Sequence, residues 1–140
     1  MICAVLWLGN FAVTGLWSAR AVFARSVELR VFATREILVT DVLFTLVFGS
    51  AVTVSGVFLA QHDAVPIWTT LWTRTAFEVV VAAGLVWMAV LLPLEIRMHR
   101  TAADESAARF SRLFTIWNVI GWLVTAALFA VIYLMVGKPT

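Results

Sequence analysis

Three ionisable side chains stand inside long apolar runs of this sequence: Asp41 within Ile37 to Ala60, and Arg74 and Glu78 within Leu71 to Leu94. A charge taken out of water is costly, so each of them marks a candidate site for proton, cation or ligand chemistry. Asp41 lies about six residues, hence about 9 Å along a helix, inside the boundary set by Arg35. At about 100° per residue it shares a face with Thr45, Gly49, Thr53, Gly56 and Ala60, while Phe44, Val47, Phe48, Val54 and Phe58 lie opposite. Small residues let helices approach closely and a Phe/Val face suits lipid, so Asp41 is expected to point into a helix contact.

Partners for it stand on two other apolar runs. Cys3, Trp7, Asn10, Thr14 and Ser18 share a face near the start of the chain, and Thr115, Asn118, Trp122, Thr125, Phe129 and Tyr133 share one near its end. A cluster of Asp41, Thr45, Asn118 and Asn10 is expected in the cytoplasmic half of the membrane, with Asn118 at the depth of Asp41 and Asn10 nearer the midplane. It would serve either as a proton, cation or ligand site or as packing glue, since interhelical hydrogen bonds in lipid average only about 0.6 kcal/mol. Arg74 and Glu78 stand one turn apart, where an ion pair lowers the cost of both. They read as an outer-leaflet pair with Arg74 snorkelling, or as a gate or substrate contact.

Histidine and cysteine point away from a bound cofactor. His62 and His99 fall in connections on opposite sides of the expected thread, which excludes a bis-His haem or a His/Cys metal cluster built from this chain alone. A haem would need a ligand from outside the chain. Cys3 is the one cysteine, and no phosphate loop, nucleophile elbow or zinc-protease signature occurs. The glycines at Gly9, Gly15, Gly49, Gly56 and Gly84 are spaced for helix packing. No catalytic set emerges, and an enzyme is not expected.

The elements that position these residues follow from composition. Of 140 residues, 63% are hydrophobic and 13% charged, against about 25% charged in a soluble domain. That leaves no polar shell, and a net charge of +2 offers no footprint for nucleic acid. A bilayer core takes about 20 apolar helical residues per crossing. Four runs fit: Met1 to Ala19, Ile37 to Ala60, Leu71 to Leu94 and Leu113 to Gly137. The expected fold is an all-α transmembrane four-helix bundle, one domain over 1–140, because in lipid the backbone must satisfy its own polar groups. The first run lacks a basic n-region and exceeds a signal-peptide core, so it is expected to be a retained helix.

Cytoplasmic loops carry the arginine excess. Arg20, Arg25, Arg30 and Arg35 precede the second run and Arg97, Arg100, Arg109 and Arg112 precede the fourth, so both connections are expected in the cytoplasm, with the termini outside. These eight are also expected to contact lipid headgroups. Pro93 can kink or end the third helix. The stretch from Glu95 to Arg112 reads as a solvated connection with some helix, in which Glu105 and Arg109 stand four apart. Trp68, Trp72 and Tyr133 at one boundary, and Trp17 and Trp117 at the other, form the expected aromatic belts.

Short motifs then carry a resemblance. Ala4-Val5-Leu6-Trp7-Leu8-Gly9-Asn10, the Asp41-Val42-Leu43-Phe44-Thr45 start of the second run, Ser55-Gly56, and the closing Tyr133-Leu134-Met135-Val136-Gly137-Lys138-Pro139 resemble domain of unknown function 2269, a family of small bacterial integral-membrane proteins. The family is distantly similar to the four-helix units of copper-resistance D proteins and of membrane protoporphyrinogen oxidases. The resemblance implies a multi-pass protein of the bacterial inner membrane and carries no activity over. Its relatives generally have a His just ahead of the Trp-Leu-Gly element, a position this chain does not show after Met1; intact-mass measurement of the native protein tests whether residues precede it. Function is expected to be that of a non-catalytic accessory subunit packing against a larger respiratory or photosynthetic complex. The alternative is a haem- or metal-linked redox protein, or a proton or cation transporter. Expected partners are lipids, other membrane subunits or further copies of the chain.

Overall fold

The computed structural model describes residues 2–23, 26–103 and 107–137; Arg25 and Glu105 lie outside them. Among these residues every regular element is helical. Four helices are long and apolar enough to cross a membrane. They are α1 (Ile2–Phe23), α2 (Val27–His62), α3 (Leu71–Ala102) and α4 (Ala107–Gly137). They pack in ring order, α1 on α2, α2 on α3, α3 on α4 and α4 on α1. Large apolar side chains cover the outside, among them Leu16, Phe58, Leu85, Trp122 and Val136. This is the arrangement expected where the solvent is lipid.

Helices α2 and α3 both run well beyond the expected apolar segments. α2 starts at Ser26, whose side-chain oxygen accepts from the Leu29 backbone N–H and whose extended backbone marks an N-cap, with Glu28 in the first turn complementing the helix dipole. The charged stretch before Ile37 is thus the first part of α2. α3 does not stop at Pro93. A wide π-type turn over Trp87–Leu91 precedes the proline, and the helix then continues to Ala102. A proline deprives the carbonyl one turn back of its N–H and crowds it, and a local widening absorbs both effects. The expected solvated connection from Glu95 is corrected accordingly: Glu95, Met98, Thr101 and Ala102 are buried.

A second wide turn, Thr45–Gly49, interrupts α2. Here α1 approaches most closely, since a Cβ built on Gly49 would lie 3.3 Å from the Trp7 indole. Gly49→Leu should therefore overpack the contact and cost about 1–3 kcal/mol, read as a lowered unfolding midpoint in detergent.

The two ends of the bundle differ. The first half of α2 packs along the last turns of α3, around a core of Ile37, Trp87, Leu91, Met98, Ala102, Phe110 and Trp117. Toward the other end α2 and α3 separate, leaving an apolar cavity of about 480 Å³ bordered by Trp7, Gly56, Ala60, Phe77, Val80 and Leu128. A smaller cluster of Trp7, Ala83 and Leu128, with Phe11, Phe48, Val80 and Val124 against it, lies between the cavity and the tight half.

Candidate functional site

The tight half holds a buried polar centre. Asp41 is 4% exposed, and its two oxygens are both in use. Oδ1 accepts from Asn10 Nδ2 of α1 at 3.1 Å, and Oδ2 accepts from Trp87 Nε1 of α3 at 2.7 Å. Glu95, only 1% exposed, stands beside it on α3. Its Oε1 accepts from Trp117 Nε1 of α4 at 2.9 Å, and its Oε2 has no hydrogen-bond partner among the described residues. All four helices contribute. Two carboxyl groups are held side by side by three N–H donors, and neither is paired with Arg, Lys or His among the described residues.

The local structure explains the convergence. In α3, Trp87, Leu91, Glu95, Met98 and Ala102 recur at helical spacing and are all buried, so Glu95 occupies the inward stripe of a continuous helix. Trp87 opens one wide turn, and Thr45 opens the other just after Asp41. Wide turns of this kind recur at functional sites because they re-aim side chains. Thr14 supports the α1 side by donating to the Asn10 carbonyl one turn back.

The residues singled out in the sequence are sorted by this geometry. Asn10 and Asp41 are joined. Thr45 is half-buried beside them, with its Oγ1 buried and without a hydrogen-bond partner among the described residues. Asn118 is half-buried on α4 and makes no side-chain hydrogen bond to the centre. The expected inward face of α4 is not the buried one: Trp122, Phe129 and Tyr133 are exposed, while Phe110, Trp117, Leu128 and Val131 are buried. The hydroxyls of Thr115 and Thr125 donate to carbonyls one turn back, so neither needs a partner helix.

Arg74 and Glu78 form the expected i, i+4 pair at 2.7 Å, at an exposed position remote from Asp41. Arg20, Arg35, Arg97, Arg100, Arg109 and Arg112 are exposed, as headgroup contact requires. Arg30 departs from that expectation. It is buried with its guanidinium 5.8 Å above the Phe110 ring, because α2 begins early enough to carry it against α4. Trp117 departs likewise: it is a buried donor to Glu95 and not a belt residue. Trp117→Phe leaves Glu95 without its donor and should lower stability by about 1–3 kcal/mol, measurable as a shift in the denaturation midpoint.

His62 ends α2 at the cavity end, exposed, and His99 lies on α3 near Thr34, at the far end of α2. His99 is thus helical and half-buried, which corrects its expected place in a connection. No group of three or more His, Cys, Asp or Glu converges among the described residues.

The long apolar helices closing around a buried polar centre define a four-helix integral membrane protein. The chain matches, over residues 1–139, the family described as predicted integral membrane protein, DUF2269. It belongs to that family, which the short motifs of its first, second and last helices already resembled. No curated protein and no solved structure matches it.

Proposed function

We propose that this protein is a proton-binding protein of the bacterial inner membrane, in which the Asp41–Glu95 pair takes up and releases one proton. One observation carries the reading: Glu95 Oε2 is buried beside Asp41 without a donor. Two negative charges there would have three N–H donors between them and, among the described residues, no counter-ion, an arrangement that costs several kcal/mol in a low-dielectric interior. One proton on Oε2, directed at Asp41, supplies the missing hydrogen bond and removes one charge.

The same donor set favours a proton over a metal cation. Trp87 and Trp117 can present only N–H to the centre, and Asn10 presents its Nδ2. A bound cation needs several oxygen ligands, whereas the Trp and Asn groups turned toward the carboxyls present N–H donors. The arginine distribution supports a cytoplasmic position for the tight, Arg-rich end of the bundle, with the cavity end outside. An accessory subunit, the other reading of the sequence, accounts for the small-residue helix faces but gives the buried acid pair no task.

Infrared spectroscopy of the protein in lipid nanodiscs tests this. Near neutral pH a carboxylic-acid C=O band that shifts in heavy water is expected in the wild type and absent in Glu95→Gln. A wild-type protein lacking that band from mildly acid to mildly alkaline solution would sink the reading.

A further inference from the structure

The acid pair stands between two unlike ends of the bundle: hydroxyls, among them Thr45, Thr53 and Thr73, lie toward the cavity, whereas among the described residues an imidazole is set one turn from the pair at the other end. On the cavity side Trp7, Phe11, Phe48, Ala83 and Leu128 close over Asn10 and Asp41 with apolar surface. On the other side the interface of α2 and α3 continues as Thr34 and His99. His99 lies one turn beyond Glu95 on the same face of α3, a spacing that sets their Cβ atoms about 6 Å apart. Its Nδ1 is 3.2 Å from Thr34 Oγ1.

The hydrogen bonds of Thr34 orient that ring. Its hydroxyl has one hydrogen, which it donates to the carbonyl oxygen of Arg30 at 2.9 Å, with that of Val31 at 3.1 Å. With the hydrogen so placed, the hydroxyl oxygen accepts from His99 Nδ1–H, and Nε2 is the ring nitrogen free to exchange a proton. Around this ring, α2 contributes the buried Arg30 and the exposed Arg35, and α3 contributes Glu95 and the exposed Arg97 and Arg100. The part of α4 packed here contributes the uncharged Phe110 and Trp117, its Arg109 and Arg112 being exposed. Among the described residues Glu95 is the acid one turn from the ring on α3, while α2 also carries the half-buried Glu36 two residues from Thr34, and the half-buried ring lies one turn beyond Glu95 toward the arginine-rich end of the bundle.

We propose that His99 relays the proton between the acid pair and the aqueous phase at the arginine-rich end, and that the acid pair exchanges with that side alone. The proton leaves Glu95 Oε2, crosses to His99 Nε2 through a bridging water, since no direct hydrogen bond joins the two atoms, forms the imidazolium, and departs from Nε2 to water. Uptake runs in reverse. Thr34 holds Nδ1–H throughout and is a positioning residue. The inference rests on the proton-binding reading above and adds the route and its side.

The test follows the carboxylic-acid infrared band in nanodiscs after transfer into heavy water, for the wild type, His99→Ala, His99→Gln and Thr34→Val. In both His99 variants the band should persist while its isotope shift slows roughly a hundredfold, the lower range of what a positioned proton carrier contributes. Free imidazole should restore the rate in His99→Ala, where the deletion leaves room for it, and not in His99→Gln, which keeps the site filled should the alanine variant fold poorly. Thr34→Val should slow exchange less, because the ring remains but its tautomer is no longer held. Wild-type exchange rates in both His99 variants overturn the relay and leave the acid pair standing. Slowing that imidazole does not reverse makes His99 structural and also overturns the relay. Absence of the band in the wild type overturns the acid pair, and the relay with it.

Discussion

Asp41→Leu is expected to destabilise the bundle by roughly 2–6 kcal/mol, because it leaves two buried donors, each worth about 1–3 kcal/mol when unpaired, without their acceptor. The donors are Asn10 Nδ2 and Trp87 Nε1, both on residues about 5% exposed, so no lipid headgroup or water replaces the carboxylate. The loss spreads over three helices, since Asp41 joins α1 and α3 to α2. Asp41→Asn keeps one carbonyl oxygen for one of the two donors, and should recover about half of the loss. Denaturant titrations in detergent, followed by tryptophan fluorescence, give the order: wild type, then Asn, then Leu. A leucine variant as stable as the wild type would mean that the Asn10 and Trp87 bonds contribute nothing net.

Half of this centre could be read in the sequence and half could not, for reasons that lie in particular residues. Asp41 stands out because it is the lone charge in its apolar run, and helical periodicity alone puts it on the small-residue face that meets Asn10. Glu95 was concealed by its neighbours. Pro93 ahead of it and Arg97 and Arg100 after it give the segment the look of a connection, although Trp87, Leu91, Met98 and Ala102 continue an inward stripe straight through it. That stripe was the available signal, and the wide turn at Trp87–Leu91 that lets the helix pass the proline has no comparable mark.

The fourth helix shows the converse difficulty. In lipid, apolar side chains are equally at home inside and outside the bundle, so polarity does not decide which face is buried. Threonines that donate to their own helix carry no information about a partner. The expected face through Thr115, Trp122 and Tyr133 therefore failed. The buried one is set by the fit of Phe110, Trp117 and Leu128 against α1 and α3 and by the bond from Trp117 to Glu95.

Glu95→Gln should act in the opposite direction from Asp41→Leu, removing the proposed proton while raising stability in alkaline solution, where the wild-type pair has released it. The carboxamide oxygen keeps the place of Oε1 as acceptor for Trp117 Nε1, and the new amide nitrogen occupies the position of Oε2, the one oxygen of the pair without a donor. There it donates to Asp41 as the shared proton of the wild type does, in a change of nearly equal volume, and it keeps that hydrogen bond in alkaline solution, where the wild-type pair gives its proton up. The difference under alkaline conditions is worth about 1–3 kcal/mol, expected as a higher denaturation midpoint than wild type there and an equal one while the proton is bound. Glu95→Leu separates this effect from loss of the acid itself, because it removes the acceptor for Trp117 and adds no donor for Asp41; it should be less stable than Glu95→Gln by a similar amount. A glutamine variant less stable than wild type in alkaline solution would show that Oε2 has another donor in the membrane, and the missing donor could then no longer support a shared proton. A more stable but proton-silent variant fits a site kept ionisable at the expense of stability, the pattern of a functional group held against the packing preference of its surroundings.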